Sequence, residues 1–210
     1  MVAGTLRFVL ASQSPARLAT LRSAGVEPEV IVSGVDESVI NDSDPAGLAL
    51  ALAQLKATAV ADQLINESAG DGRPILLIGC DSVLDLDGES HGKPHDPQVA
   101  IQRWQQMRGR SGVLHTGHHL IKINNGEISH AAGRGAATVV HFADLSDAEI
   151  KAYVDTGEPL VVAGSFTLDG LGGPFVTGIE GDPHNVVGIS LPLLREMIIT
   201  AGHSWTELWH

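Results

Sequence analysis

Several features that would assign a chain to common protein classes are scarce in this sequence of 210 residues. Its one cysteine, Cys80, excludes an internal disulfide and fits a reducing compartment. No continuous apolar run approaches the roughly 20 residues of a membrane helix. The N-terminal sequence MVAGTLRFVL lacks a basic region before its apolar run, so it predicts a core strand and not a signal peptide. We therefore expect a cytoplasmic protein without a membrane partner.

Positive charge is also scarce. The formal net charge is −12 and the chain has only four lysines, at positions 56, 93, 122 and 151. Nucleic acid polymers require clustered Lys and Arg, so we expect no such partner. A small anionic ligand remains compatible with this charge, provided that a local group of cations or a bound metal offsets the overall field. Each lysine beside a motif is therefore a candidate ligand-binding residue.

Four helix starts carry recognisable capping signals. Three consist of an oxygen-bearing cap and a proline at the first helical position: Ser14-Pro15, Asp44-Pro45 and Asp96-Pro97. The fourth, Ser146 to Glu149, has the spacing of a capping box. These signals predict helices at 15–24, 45–64, 97–108 and 147–155.

Segments rich in branched apolar residues alternate with these helices and predict strands at 6–11, 29–33, 75–79 and 113–123. The Asn-Gly pair at 125–126 predicts a hairpin that leads into a further strand at 136–142. A helix is expected within 189–201, and the tail with Trp205 and Trp209 packs either on the body or on a partner. Together these patterns predict an α/β fold with a mixed sheet.

The end of the first strand has groups suited to phosphate. Ser12, Ser14 and Arg17 lie within one turn of a helix N-terminus, where free N–H groups and the helix dipole attract anions. An ordinary capped helix is the alternative. The segment contains neither a Gly-rich dinucleotide fingerprint nor a Walker lysine loop.

Acidic residues follow two predicted strands. Asp36 and Glu37 come after the second strand and Asp81 after the third, and carboxylates are ligands that Mg²⁺ prefers. Lys93 stands between Gly92 and Pro94, which shape the backbone around it. Solvated surface charges are the alternative for both sets.

The histidines in LHTGHHL suggest a metal cluster at first sight. Alternation along a strand puts His118 and His119 on opposite faces, and no Cys or Glu accompanies them at a recognised spacing. A zinc site with His115 is therefore not favoured, and a structural role for Cys80 is favoured over a nucleophilic one.

Ordered motifs across nearly the whole chain carry a resemblance to a known family. They are LASQSPARLATLRSAGV, Val35-Asp36-Glu37, Leu55-Lys56-Ala57, GCDSVLDLDGESHGKPHDPQVAIQRWQQMRGRSGVLHTGHHLI, LSDAEIKAYVDTGEP, AGSFTLDGLGGPF and IEGDPHNVVGISLPLL. Taken together, they resemble the Maf family, named for septum formation inhibition and known as nucleotide pyrophosphatases.

The resemblance implies a fold and an activity. The fold is an elongated α/β architecture, similar to inosine triphosphatases, in which residues 1–210 form one domain of two lobes with a cleft between them. The activity is hydrolysis of a nucleoside triphosphate to the monophosphate and pyrophosphate with Mg²⁺ or Mn²⁺, by a homodimer. Clearing modified nucleotides from the pool is an associated role. A nucleotide-binding regulator of cell division with secondary catalysis is the alternative, and an unrelated structural α/β protein would require every motif to be coincidental.

Residue roles follow from the same resemblance. Asp81 takes the place of the proton acceptor and also joins Asp36 or Glu37 around the metal. The phosphates are held by Ser12, Ser14, Arg17, Lys56 and Lys93.

Three positions depart from the pattern of family members that act on dTTP and UTP, and we expect them to select the base. They are Ala16, Ser82 and Asp169. An ionised aspartate only accepts hydrogen bonds, which favours a donor-rich edge such as that of guanine or a methylated purine. A small residue at Ala16 leaves room for a bulkier base.

Overall fold

A computed structural model of the chain describes residues 6–40, 42–66 and 72–209. The sequence NESAGDGRP at residues 66–74 predicts a polar loop, and most of this segment lies outside the described ranges. The strands are β1 Arg7–Ala11, β2 Glu29–Val30, β3 Ile75–Leu86, β4 Glu89–His91, β5 Ser111–Asn124, β6 Glu127–Phe142 and β7 Val176–Glu180. The helices are α1 Pro15–Ser23, α2 Pro45–Asn66, α3 Pro97–Met107, α4 Asp147–Asp155, α5 Pro183–Val187 and α6 Leu191–Thr200.

The seven strands form one mixed sheet in the order β2-β1-β3-β5-β6-β7, with β4 paired to β3. β1 lies parallel to β2 and β3, whereas the other pairs are antiparallel. β5 and β6 form the predicted hairpin around Asn125 and Gly126. The α/β fold with a mixed sheet and flanking helices is therefore confirmed.

Predicted helix starts agree with the structure because their signals are local. The hydroxyl of Ser14 and the carboxylate of Asp96 accept backbone N–H groups at the starts of α1 and α3, and Ser146 and Glu149 form the capping box of α4. Strand bounds were wrong in three places. β2 has two residues instead of the predicted 29–33, and β6 begins at Glu127 instead of residue 136. β3 continues to Leu86 because it pairs along its length with β5.

Helix α2 packs closely on one face of the sheet. Val60 and Ala57 pack with Leu77 and Ile121 of the strands in an apolar cluster. At Gly117 of β5, a Cβ would collide with the α2 backbone at Ala49, so the close approach requires glycine. This approach brings the polar side of α2 to the middle of β3.

Two further apolar clusters cover other parts of the sheet. One joins β1, β3, α1 and α6 and includes Leu10, Leu21 and Leu194. The other joins α3, α4 and the far ends of β3 and β5, with Trp104 at its centre. The expected division of the domain into two lobes stays a prediction.

The C-terminal tail packs on the body of the chain. Trp209 forms a single antiparallel bridge with Val26, and its indole N–H donates to the Ala24 carbonyl at 3.1 Å. Trp205 packs against the cluster that contains α6. Of the two alternatives for the tail, the structure therefore favours packing on its own chain.

One described helix, α2, is long and apolar enough to cross a membrane by length and composition alone. Gln54 and Lys56 interrupt its sequence, so it contains no unbroken apolar run of that length. The core helices of soluble proteins pass the same test, and α2 buries residues such as Ala49, Ala53 and Ala57 against the sheet.

Candidate active site

A gap in strand pairing exposes the middle of β3. β1 pairs with one edge of β3 and ends opposite Gly79. β5 occupies the other edge of β3 along its length. β4 therefore pairs with the same edge as β1, from Leu84 onward. Among the described residues, no strand pairs with Cys80–Val83 on this edge. The loop that begins α1 borders the gap on one side, and the chain after β4 borders it on the other.

Arg17 is the centre of a polar group on one side of the gap. Its guanidinium donates to the hydroxyls of Ser12 at 3.2 Å and Ser82 at 3.1 Å, and to the Gly188 carbonyl at 2.7 Å. The Ser14 hydroxyl caps the helix that carries Arg17. All three acceptors are neutral, and Arg17 forms no ion pair with any residue that the structure describes. Its positive charge is therefore available to an anion.

The direction of the hydrogen bonds around Ser82 is fixed by the neighbouring groups. The Thr116 hydroxyl donates to the Asn185 carbonyl at 3.0 Å, so it accepts from Ser82, 2.9 Å away. Ser82 in turn accepts from Arg17. A buried threonine on β5 and a carbonyl of α5 thus orient the serine toward the guanidinium.

Lys56 is the centre of a second polar group, on the other face of β3. Its ammonium lies 2.5 Å from Asp81 Oδ1 and 2.9 Å from Glu37 Oε1. Lys56 and Asp81 are mostly buried, with side-chain exposures of 12% and 13%, whereas Glu37 is 49% exposed. Two carboxylates therefore share one ammonium, with one negative charge in excess.

Asp36 is turned away from this group. Its carboxylate caps a short 3-10 helix, Glu37–Val39, and accepts the backbone N–H and the hydroxyl of Ser38 at 3.0 and 2.7 Å. These two hydrogen bonds, chiefly that of the hydroxyl, lower the pKa of Asp36. Of the two acids expected beside Asp81, the structure brings Glu37 to it. Residues 6–40, 42–66 and 72–209 contain no group of three or more Asp, Glu, His or Cys side chains arranged for a metal.

Lys93 borders the gap from the opposite side to Arg17. His91 pairs with Leu84, and the antiparallel direction carries the chain that follows toward the level of Ser82. Lys93 is exposed, and it forms no hydrogen bond or ion pair with the part of the chain that is described. Its ammonium is free for a ligand.

The three expected specificity residues lie on three different segments of the chain. Ala16 is half-buried in the first turn of α1, Ser82 binds Arg17, and Asp169 is exposed on a later loop. That loop is held by Glu158, whose carboxylate accepts from the hydroxyls of Tyr153 and Thr167 and from the N–H groups of Leu171 and Gly172. The roles of the three residues stay predictions.

Two buried groups near the gap are chemically inert at neutral pH. Burial raises the pKa of the Cys80 thiol to about 12, so it stays protonated and is a poor nucleophile. His118 accepts the Ser190 N–H on Nε2 at 2.8 Å, so its Nδ1 carries the proton and donates to the Thr116 carbonyl. Both ring nitrogens are used inside the protein, which leaves His118 no free atom for zinc.

We expect stability to fall as pH falls below the ordinary histidine pKa of 6.5. Burial lowers the pKa of His118 to about 4, so over this interval the unfolded chain binds a proton that the folded chain does not. The free energy of unfolding should drop by up to about 1.4 kcal/mol per pH unit from this group. Urea unfolding of the parent and of His118→Gln across this range measures the difference, and equal slopes would contradict the assignment.

Sequence reasoning missed several residues that build the site. Thr116, Asn185 and Gly188 act on Ser82 and Arg17 from more than 30 residues away. Arg103 and Glu158 hold loops around the gap. The motifs that contain them were visible, but only the folded chain shows which atoms meet.

The sequence is similar to that of known proteins over nearly its whole length. The profile of a family described as "Maf-like protein" matches residues 7–201. Proteins named nucleoside triphosphate pyrophosphatase are 57% identical over 97% of this chain and 88% of theirs in Salinispora tropica, and 53% identical over 98% and 96% in Cutibacterium acnes. A crystal structure of a nucleoside-triphosphatase / dITP/XTP pyrophosphatase from Mycobacterium abscessus covers 66% of this chain and 75% of its own, with 14% identity and a TM-score of 0.37. Because the family profile spans almost the whole chain, this protein belongs to the Maf family.

Proposed function

We propose that this protein hydrolyses nucleoside triphosphates to the monophosphate and pyrophosphate. The observation that carries the proposal is the presence of two polar groups on the two faces of β3 at the gap. One offers a cation with neutral partners at a helix N-terminus, and the other offers an ammonium between two carboxylates. The first suits phosphate, and the second suits activation of water beside it. The names of the close relatives support the same activity.

A divalent cation fits the second group. Mg²⁺ typically takes one or two carboxylates, substrate phosphates and water, and the carboxylates of Glu37 and Asp81 both lie beside the Lys56 ammonium. We propose that these two residues hold it, with Asp36 orienting the segment that carries Glu37. When bound, the ion would polarise phosphate oxygens and offset their charge.

The chain's own residues then have distinct roles. Water attacks the α-phosphorus and a new P–O bond forms, while the bond to the bridging oxygen breaks and pyrophosphate leaves. Asp81 accepts the proton of the attacking water. Arg17, Lys56 and Lys93, with the hydroxyls of Ser12 and Ser14, neutralise the charge that develops on the leaving group.

The direct test is a pyrophosphate-release assay on common and modified triphosphates with Mg²⁺ or Mn²⁺. The expected products are one monophosphate and one pyrophosphate for each triphosphate consumed. Release of orthophosphate and a diphosphate would contradict the proposal. Tight binding of triphosphate without turnover would favour the alternative, a nucleotide-binding regulator of septum formation.

Removing Arg17 should weaken binding of triphosphate more than binding of nucleoside. A charged hydrogen bond contributes roughly 1.5 to 3 kcal/mol, so Arg17→Ala should raise the Kd for triphosphate about tenfold or more. Lys93→Ala should act in the same direction. Arg22→Ala, at the other end of α1 and paired with Glu27 on the surface, is the matched control. Calorimetric titration measures all three, and unchanged affinity in both test variants would show that the pocket is misplaced.

Asp169→Gln tests the expected base preference. Glutamine both donates and accepts, so the variant should gain on UTP and dTTP relative to GTP and 7-methyl-GTP, by about tenfold in the ratio of kcat/KM values. The surface variant Asp155→Gln should leave the ratio unchanged. A parent that prefers pyrimidines, with the same ranking in Asp169→Gln, would exclude Asp169 from base selection.

Three wider expectations belong to the same proposal: a cytoplasmic location, a homodimer and removal of modified nucleotides from the pool. Light scattering on the purified chain tests the second. Comparison of kcat/KM for modified and common triphosphates tests the third.

A further inference from the structure

Helix α3 contributes a buried cation that connects two loops beside the gap. Arg103 is only 9% exposed. Its Nη1 donates to the Gly92 carbonyl at 2.6 Å and to the Ser165 hydroxyl at 2.8 Å. The indole N–H of Trp104 donates to the Ser165 carbonyl at 2.8 Å, and the Gly164 N–H donates to the Gly92 carbonyl at 3.3 Å. Gly92 is therefore fixed by two donors that come from distant parts of the chain.

This arrangement is costly if its only purpose is stability. Arg103 forms no ion pair with any residue in the described ranges, and its buried Nε has no hydrogen-bond partner. Burying a cation without a counter-ion is unfavourable, and burial lowers the pKa of Arg103 accordingly. The hydrogen bonds that offset this cost are made to Gly92 and Ser165, so the role of Arg103 lies in fixing those two residues.

The position of Gly92 shows what that role is. Gly92 directly precedes Lys93, which borders the gap opposite Arg17 and has no partner among the described residues. Fixing the Gly92 carbonyl fixes the peptide plane from which Lys93 starts. The same guanidinium also holds Ser165, at the start of the loop that carries Asp169.

We propose that Arg103 is a positioning residue that orients Lys93 toward the substrate phosphates. The inference rests on the proposed pyrophosphatase function. Arg103 acts through Gly92 and Ser165 and does not touch the substrate itself.

A double-mutant cycle tests this role. Arg103→Gln should lower kcat/KM about tenfold or more, mainly by raising KM, because Lys93 is no longer held in the orientation that binds phosphate. In a Lys93→Ala background the same change should lower kcat/KM by less than about twofold, since the ammonium that Arg103 positions is already absent. Arg103→Lys, whose ammonium can donate to both acceptors, should recover part of the loss. Arg108→Gln is the matched control, because Arg108 also donates to a loop carbonyl, that of Leu145, away from the gap.

Hydrogen exchange supplies a readout that does not depend on turnover. The Trp104 indole proton and the Gly164 amide should exchange at least tenfold faster in Arg103→Gln than in the parent, with equal melting profiles showing that both are folded. Unchanged exchange, or losses from Arg103→Gln and Lys93→Ala that simply multiply, would overturn the positioning role. If the parent releases no pyrophosphate, the proposed function fails, and the cycle is then measured on the Kd for triphosphate.

Discussion

Asp81→Asn should lower kcat/KM for pyrophosphate release by about 10² to 10⁴ while the protein stays folded. The change keeps the shape of the side chain and removes the negative charge that faces the Lys56 ammonium at 2.5 Å. An amide cannot accept the proton of the attacking water at a useful rate. Loss of turnover with little change in triphosphate binding is the expected pattern.

Asp87→Asn is the matched control for this experiment. Asp87 directly follows β3, is exposed and pairs with Arg110 at 2.6 Å, so the same substitution removes a charge outside the gap. Its left-handed backbone conformation, with φ of 57°, is one that asparagine adopts readily. Equal activity of the parent and Asp81→Asn, in a sample with an unchanged melting curve, would remove Asp81 from the reaction.

The sequence predicted the helices well because their signals lie within a few residues. The caps at Ser14, Asp96 and Ser146 each act on the next turn. Strand ends depend on partners that are distant in sequence. β3 extends to Leu86 because β5 and β4 pair with its second half. The sequence of residues 80–86 contains no signal that predicts this pairing.

In the site, too, contacts between residues close in sequence were predictable, whereas contacts between distant residues were not. The loop before α1 combines Ser12, Ser14 and Arg17 within six residues, and the structure joins all three. The sequence could not choose between Asp36 and Glu37, since both follow the same strand. The choice depends on the Lys56 ammonium, which α2 brings to Glu37 because Gly117 lets the helix approach the sheet.

Strand geometry explains why the two groups stand on opposite faces of β3. Successive side chains of a strand point to opposite sides, so Asp81 meets Lys56 on the α2 face while Ser82 meets Arg17 on the α1 face. Within the described residues, Cys80–Val83 is the segment of β3 that has no strand paired to one edge, and it carries both Asp81 and Ser82.

Removal of divalent cations should reduce turnover roughly 10³-fold, since a metal ion typically contributes several kcal/mol to stabilising charge at a phosphoryl centre. The group around Lys56 is negative overall, and a triphosphate adds further negative charge to it. Assays in excess chelator, followed by addition of Mg²⁺ or Mn²⁺, measure the loss and its recovery. Full activity in chelator would exclude a metal from the reaction.

Separate substitutions of the neighbouring acids Glu37 and Asp36 test which of them holds the cation. Glu37→Gln should raise the Mg²⁺ concentration for half-maximal activity about tenfold, because it removes one of the two carboxylates on Lys56. Asp36→Asn should change it little, since the Asp36 carboxylate binds Ser38 and asparagine is an equally good helix cap. A larger effect from Asp36→Asn than from Glu37→Gln would show that Asp36 holds the metal and that its contact with Ser38 is broken when nucleotide binds.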